Sequence, residues 1–326
     1  MFSVENIKKP IADEFISFQQ CYDCVFESDN PVLSAVYEQV LSVKGKQLRP
    51  VLLLLAAKLC GTPSEQTIYS AVILELLHTV SLIHDDVVDE ALQRRGKKSL
   101  NAQFGNQVAV LSGDYLLSCC MNICFEKLAT NARGQLVLSN LVGELSSGEL
   151  LQLYSAEHLL WDREHYFQII KKKTAALFSA CTKMGAVSVN ADDATIDKMA
   201  TLGEYLGICF QIRDDVFDYS PELHIGKPSL HDIREGKITL PLINALQNAS
   251  VAELESVCDF VRRKDFSDEN LSFLARFVQE HRGIEAALHE IELYQERIRS
   301  LLNEFPDSEC KMALFDFTDY VGTRTF

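Results

Sequence analysis

Proline is scarce in this chain, and none of its eight prolines falls between Pro63 and Pro221. That gap is rich in Leu, Ala, Glu and Lys, so it excludes a succession of short strands and tight turns and leaves long helices. Segments alternating with period two are missing, as are Gly/Ser-rich and low-complexity linkers. Long hydrophobic runs are missing too. The longest purely apolar one, Val51 to Ala57, falls far short of the ~20 residues of a membrane span. Positive charge is in deficit, with 31 Lys and Arg against 46 Asp and Glu, a formal net charge of −15. Nucleic acid and stable docking on anionic lipid are therefore poor partners. The first residues, Met1-Phe2-Ser3-Val4-Glu5, lack the apolar core of a signal peptide. Paired cysteine motifs are absent except for a lone Cys21-Tyr22-Asp23-Cys24. Others, such as Cys60, Cys181 and Cys209, sit in apolar helical pattern and read as small buried hydrophobes of a reducing compartment. A cytoplasmic protein without stable membrane insertion is expected. No Ser/His/Asp or Cys/His arrangement stands out for nucleophilic catalysis.

What is present is helical periodicity from end to end. It predicts helices at about 11–27, 31–43, 50–60, 64–91, 106–129, 135–153, 163–189, 192–220, 238–247, 250–262, 267–280, 282–303 and 309–321, with breakers at Gly61-Thr62-Pro63, Arg94-Arg95-Gly96, Ser220-Pro221 and Gly226-Lys227-Pro228. The expected fold is all-α, a single domain over residues 1–326.

Two acidic clusters share one spacing: Asp85-Asp86-Val87-Val88-Asp89 and Asp214-Asp215-Val216-Phe217-Asp218. Each places carboxylates at i, i+1 and i+4, where helical rise stacks the first and last on one face. On the helix predicted over 64–91, Glu75, His78, Leu82, Asp85, Asp86 and Asp89 fall in one narrow stripe at about 100° per residue. Apolar residues cover the rest, so this helix is expected to be central and buried, its polar stripe facing a cavity. On the second helix Gly203, Gly207, Phe210, Gln211, Asp214 and Asp218 share a face. The simplest expectation sets the two stripes opposite each other across a deep pocket. Six carboxylates in apolar surroundings repel each other and lose hydration unless cations sit among them. Hard divalent ions suit an all-oxygen set, Mg²⁺ above all, and Mg²⁺ completes its shell with water and phosphate.

Basic, glycine-containing loops accompany the acids: Lys44-Gly45-Lys46-Gln47-Leu48-Arg49-Pro50, Arg94-Arg95-Gly96-Lys97-Lys98, Gly226-Lys227-Pro228 and Asp232-Ile233-Arg234-Glu235-Gly236-Lys237. Arginine grips phosphate with its fork and lysine acts as a point charge. Together the loops carry enough positive charge for two diphosphates, one metal-bridged and one held directly.

Through almost its whole length the chain resembles the trans-isoprenyl diphosphate synthases of the all-trans polyprenyl type. The resemblance is carried in order by Gly45-Lys46-x-Leu48-Arg49-Pro50, Glu75-x-x-His78-x-x-Ser81-Leu82-Ile83-His84-Asp85-Asp86-x-x-Asp89-x-x-x-x-Arg94-Arg95-Gly96, Gly113-Asp114-Tyr115-Leu116 and Gly148-Glu149-x-x-Gln152. It continues through Lys173-Thr174-Ala175, Phe210-Gln211-Ile212-x-Asp214-Asp215-x-x-Asp218, Gly226-Lys227, Gly236-Lys237 and Thr239-Leu240-Pro241-Leu242-Ile243. It implies about ten or more helices around a deep central cavity, and a homodimer. It also implies roughly two to three Mg²⁺ ions per site on Asp85, Asp86, Asp89, Asp214, Asp215 and Asp218, bridging an allylic diphosphate. Arg94, Lys173, Lys227 and Lys237 would hold that diphosphate. Lys46, Arg49, His78 and Arg95 would hold isopentenyl diphosphate, with Thr174 and Gln211 beside the developing allylic cation. Two departures are visible: Lys44 stands where the family often has glycine, and Gln47 where it often has arginine.

The resemblance also places product-length control four and five residues before the first aspartate, at Ser81 and Val80, both small. Leu77 lies about one turn, some 5.4 Å, deeper and Leu74 beyond it, so a long product of about C30 to C50, octaprenyl foremost, is expected. Another helix could instead supply the floor, with Val80 as ordinary core. The rival readings are a short-chain farnesyl or geranylgeranyl diphosphate synthase, a class I terpene cyclase and a non-catalytic synthase subunit. A cyclase usually has a differently spaced second metal motif and no second diphosphate site. A subunit would be expected to have lost one acidic cluster or its basic partners, and this chain retains both.

Overall fold

The computed structural model describes residues 4–43, 45–219, 230–234, 236–263 and 265–324, with only the backbone at His231. The helices are α1 (Val4–Lys8), α2 (Ala12–Cys24), α3 (Pro31–Ser42), α4 (Leu48–Cys60), α5 (Glu65–Val88), α6 (Leu100–Phe104), α7 (Asn106–Lys127), α8 (Ala132–His158) and α9 (Arg163–Ile170). They continue as α10 (Ala176–Ser188), α11 (Asp193–Asp218), α12 (His231–Arg234), α13 (Leu240–Gln247), α14 (Val251–Arg262), α15 (Asp268–Glu280), α16 (Gly283–Asn303) and α17 (Glu309–Thr323). The all-α expectation holds, and most predicted helices begin and end within a few residues of the observed ones.

Three local features were not expected. Strands β1 (Gln93–Arg94) and β2 (Lys97–Lys98) pair antiparallel, closed by Arg95 and Gly96 at φ 51° and 76°. Two consecutive positive values are the signature of a type I′ hairpin turn. The segment 163–189, read as one helix, is interrupted at Lys171–Ala175 by a π turn, which inserts a residue and turns the side chains that follow. The helix predicted over 64–91 ends at Val88, although Asp89 N–H still donates to Asp85 C=O at 2.8 Å and keeps the stacking of those two residues.

Contacts cluster the chain into two compact units. The first comprises residues 1–143, 177–203 and 302–317, and α5 is its hub, packed against α2, α4 and α7. Ser64 opens α5 with a capping box, exchanging hydrogen bonds with Thr67. Along α4, Val51 to Ala57 are wholly buried, and so are nearly all of Ala71 to Leu77 on α5, as expected of helices apolar on every side. By length and composition α5 and α7 could each cross a membrane; most of the apolar stretch of α5 is buried inside the protein, whereas that of α7 is mostly exposed.

The second unit comprises residues 144–176, 204–301 and 318–326. Its core is built by Leu242 and Ala245 of α13, Val257 and Val261 of α14, and Leu274, Phe277 and Val278 of α15, with Tyr219, Leu230 and Ile233 joining from the ends of α11 and α12. Apolar residues at helical spacing on these amphipathic helices account for the cluster.

Candidate active site

The first acidic row belongs to the first unit. Asp86 is almost wholly buried and is gripped by Arg94, whose Nε donates to both carboxylate oxygens at 2.9 and 2.8 Å and whose Nη2 donates to Oδ1 at 2.6 Å. This forked geometry is the strong form of a charge-assisted hydrogen bond. The β1–β2 hairpin makes it possible by turning the chain back within eight residues. Asn101 Nδ2 fastens the same corner, donating to the carbonyls of Asp86 and Ala91 at 3.0 Å. Asp85 and Asp89 are partly exposed on the end of α5.

Beside this row lies a small cavity of about 70 Å³ lined by Gly45, Gln47, Glu75, His78, Arg94 and Arg95, among others. Five of the residues expected to hold a diphosphate relate to it differently. His78, Arg94 and Arg95 line it, and Arg49 lies close enough for its charge to act on His78 and Glu75. Lys46 is exposed and does not line it. Arg95 Nη1 donates to Val43 C=O at 2.6 Å, and its guanidinium lies flat over Gly45, where any Cβ would come within 2.6 Å of it. Burial first, then the charges of Arg49, Arg95 and Arg94, push the His78 imidazole well below its ordinary value, so it is neutral. Burial pushes the Glu75 carboxyl up, while Arg49 and Arg95 act against that rise.

The second row belongs to the second unit. Asp215 is 1% exposed and is held from two sides. Tyr166 of α9 donates its hydroxyl to Oδ2 at 2.6 Å, and Gln211 Nε2 donates to Oδ1 at 2.9 Å. Gln211 is itself fixed by Thr174, whose hydroxyl donates to Oε1 at 2.6 Å. The π turn delivers Thr174 to that position. Burial, with the Asp232 charge next in weight, raises the Asp215 carboxyl to about 8 despite the hydrogen bonds of Tyr166 and Gln211. Asp218 accepts from the backbone N–H of Asp232 at 3.1 Å, and Asp214 pairs with Arg324 at 2.5 Å.

The three lysines of the π turn each meet a glutamate: Lys171 with Glu204 at 2.9 Å, Lys172 with Glu144 at 2.7 Å, and Lys173 with Glu149. Gly148 lets α8 touch this turn, since a Cβ there would lie 2.8 Å from Lys172 Cβ and from the Lys173 nitrogen. Lys173, Thr174, Gln211, Asp215, Asp232 and Lys237 share one cavity of about 210 Å³ with Leu160, Trp161 and Ile169. That is room for roughly seven waters, enough for a small anion with part of its hydration. Lys227, with Gly226 and Pro228, lies outside the described residues.

Among the described residues no three Asp, Glu, His or Cys side chains stand close enough to cage a metal ion by themselves. The donor sets nevertheless fit Mg²⁺. They are all oxygen, and Asp215 in particular is a buried carboxylate that another negative charge drives toward protonation, a cost a cation removes. Mg²⁺ characteristically takes one or two carboxylates and draws its other ligands from water and phosphate. Asp85, Asp86 and Asp89, and separately Asp214, Asp215 and Asp218, are the residues that would hold such ions.

Tyr166, Glu149 and Arg324 join the site without having been singled out from sequence. Tyr166 looks like the core-facing residue of an amphipathic helix, although it stands two turns before Lys173. Glu149 lies inside a quoted motif but had no role. Nothing local marks Arg324.

The chain matches the polyprenyl synthetase family model over residues 30–276. It is 30% identical to heptaprenyl diphosphate synthase component 2 of Bacillus subtilis, over 92% of this chain and 84% of that one. A polyprenyl synthase from Caulobacter crescentus, crystallised with calcium and isoprenyl diphosphate, superposes with a TM-score of 0.92 at 29% identity, covering 99% of this chain and 98% of the other. A geranylgeranyl pyrophosphate synthase from Bacteroides thetaiotaomicron superposes with a TM-score of 0.85 at 37% identity, over 99% and 100%. With the family match spanning most of its length, the chain belongs to the polyprenyl synthetase family.

Proposed function

We propose that this chain is a Mg²⁺-dependent trans-prenyltransferase that condenses an allylic diphosphate with successive isopentenyl diphosphates. The observation that carries the reading is the second-unit cavity, where a buried carboxylate fixed by Tyr166 and Gln211 shares one apolar-walled space with Lys173 and Lys237. Bound metal would draw charge from the departing diphosphate. Lys173 and Lys237 add fixed positive charge, and exchange of Glu149 for the diphosphate frees Lys173 to act. Leu160, Trp161 and Ile169 restrict water, which would otherwise capture a carbocation. The hydroxyl of Thr174 and the amide of Gln211 are locked to each other, so their dipoles are set before the cation forms. Arg49, Arg95 and neutral His78 hold isopentenyl diphosphate. The allylic C–O bond breaks, the isopentenyl double bond forms the new C–C bond, and the proton leaves to an oxygen of the released diphosphate.

The product is proposed to be long, about C30 to C50 with octaprenyl foremost, because Ser81 and Val80, four and five residues before Asp85, are small. Leu77 and Val80 are buried and Ser81 half-buried. Relatives named for short-chain, heptaprenyl, octaprenyl and decaprenyl products all match, so the residues at the gate carry this part of the reading. Purified protein given farnesyl and isopentenyl diphosphates should yield such chains. Accumulation of only C15 or C20 would assign it to the short-chain group, and diphosphate release without isopentenyl diphosphate would mark a cyclase. Asp85→Ala and Asp214→Ala should each abolish condensation, and full activity in either refutes the reading.

We also propose a cytoplasmic homodimer. On α7 the exposed Leu111, Tyr115, Met121 and Phe125 follow helical spacing, with Leu111 67% and Phe125 68% exposed, an apolar stripe that a second copy would cover. The relative named as a component 2 raises the other possibility, an unlike partner. Light scattering on the pure chain, together with its activity, separates the two: an inactive monomer would favour the unlike partner.

A further inference from the structure

Arg324, at the far end of α17, is held in a way that its place in the chain does not explain. Its side chain is only 9% exposed. The guanidinium lies 3.7 Å from the centre of the Phe210 ring and 5.4 Å from that of Phe217. Nη2 donates to Phe210 C=O at 3.1 Å and to Asp214 Oδ1 at 2.5 Å. Arg213 Nε donates back to the Arg324 carbonyl at 3.0 Å, so both the backbone and the side chain of Arg324 are tied to the last turns of α11.

Asp214 is far more exposed than its buried neighbour Asp215, its side chain being 42% exposed. Arg324 binds one of its two oxygens, Oδ1. Carboxylates that ligate metals are commonly held by an outer partner of this kind, and losing that partner typically costs 10- to 100-fold in metal affinity.

We propose that Arg324 is a positioning residue for Asp214: it fixes the carboxylate for cation binding. The inference rests on the proposed role of Asp214 as a Mg²⁺ ligand. A cage of two aromatic rings and a backbone carbonyl keeps the guanidinium in place, so it orients the carboxylate instead of competing with the ion.

The test uses the full-length chain with an unreactive thiolo analogue of farnesyl diphosphate, reading the Mg²⁺ concentration that gives half-maximal thermal stabilisation. Arg324→Gln should raise that concentration about 10- to 100-fold. Arg324→Lys, which keeps the charge but loses the fork, should raise it by less. Added to Asp214→Asn, Arg324→Gln should cause no further rise, because both changes remove one unit. A purely structural role would lower the melting temperature without metal and leave this concentration unchanged. An unchanged or lowered concentration in either arginine variant, or an additive double variant, overturns the inference. If instead the wild type shows no dependence on Mg²⁺, or Asp214→Asn matches the wild type, the underlying reading of the acidic row has failed.

Discussion

A single methyl group at Gly148 should damage this protein out of proportion to its size. An alanine Cβ there would lie 2.8 Å from both Lys172 Cβ and the Lys173 backbone nitrogen. Carbon contacts are comfortable only at about 3.5–4.0 Å, so α8 and the π turn must separate by roughly 0.7 Å or more. One neighbour is backbone and the other the first side-chain carbon, so neither can swing aside. Overpacking of this kind costs typically 1–3 kcal/mol, or roughly 2–10 °C in melting temperature at a few degrees per kcal/mol. The displaced segment is the one that carries Lys173 and Thr174, and misplacement of about 1 Å can cost up to 100-fold in rate. Gly143 on the same helix supplies the control, since a Cβ there meets nothing within 4 Å. Gly143→Ala should stabilise by about 0.5–1 kcal/mol, because glycine is a poor helix former, and should leave activity near wild type. Thermal denaturation and steady-state kinetics on the two variants decide the matter. If Gly148→Ala melts and turns over like Gly143→Ala, the close packing of α8 on the π turn is not what places Lys173.

Glu75→Gln tests the buried carboxyl: with its folded value raised above the ordinary 4.5, the native state binds more protons than the unfolded chain in that window, so wild-type stability falls as pH rises through it. The melting-temperature difference, variant minus wild type, should therefore grow from pH 4.5 toward neutrality, and a flat difference would refute the assignment. Tyr166→Phe removes a hydrogen bond that lowers the Asp215 carboxyl, so the acidic limb of kcat/KM against pH should move to higher pH; no movement, or movement to lower pH, would count against the pairing. Ser81→Phe should shorten the product if the gate below Asp85 is real, and an unchanged product distribution on chromatography would place the floor on another helix.

The parts of this molecule that could be read from sequence are those fixed by local periodicity. The apolar surround of α5 and its single polar stripe follow from side-chain spacing, and Ala71 to Leu77 are buried accordingly. Where a segment departs from the regular period the reading fails. Lys171 to Ala175 continue the helical composition on both sides, and nothing in Lys-Lys-Lys-Thr-Ala announces the extra residue of a π turn. Arg95 fails the local test in another way. Left-handed backbone costs a residue of its kind about 1–2 kcal/mol, and Arg-Gly is not the usual hairpin pair, yet the turn is what lets one arginine reach Asp86 and the next lie over Gly45.

The partners of the acids were the least legible feature, for a related reason. Asp86 finds its arginine 8 residues away, Asp215 its tyrosine 49 away and Asp214 its arginine 110 away. Only the first lies within the reach of a motif, and only that arginine was assigned to the site in advance. A carboxylate shows in a sequence as a charge, but its affinity for a cation and its own protonation depend on burial and on what donates to its two oxygens. Those donors are brought by helix packing from distant segments. Two rows of the same Asp-Asp-x-x-Asp spelling are consequently different chemical objects. In one, the middle carboxylate is clamped by a guanidinium. In the other, its counterpart is met by a phenol and an amide, and burial beside Asp232 raises it to about 8. A cation beside Asp215 offsets that rise, so metal occupancy in the second row should increase as pH rises.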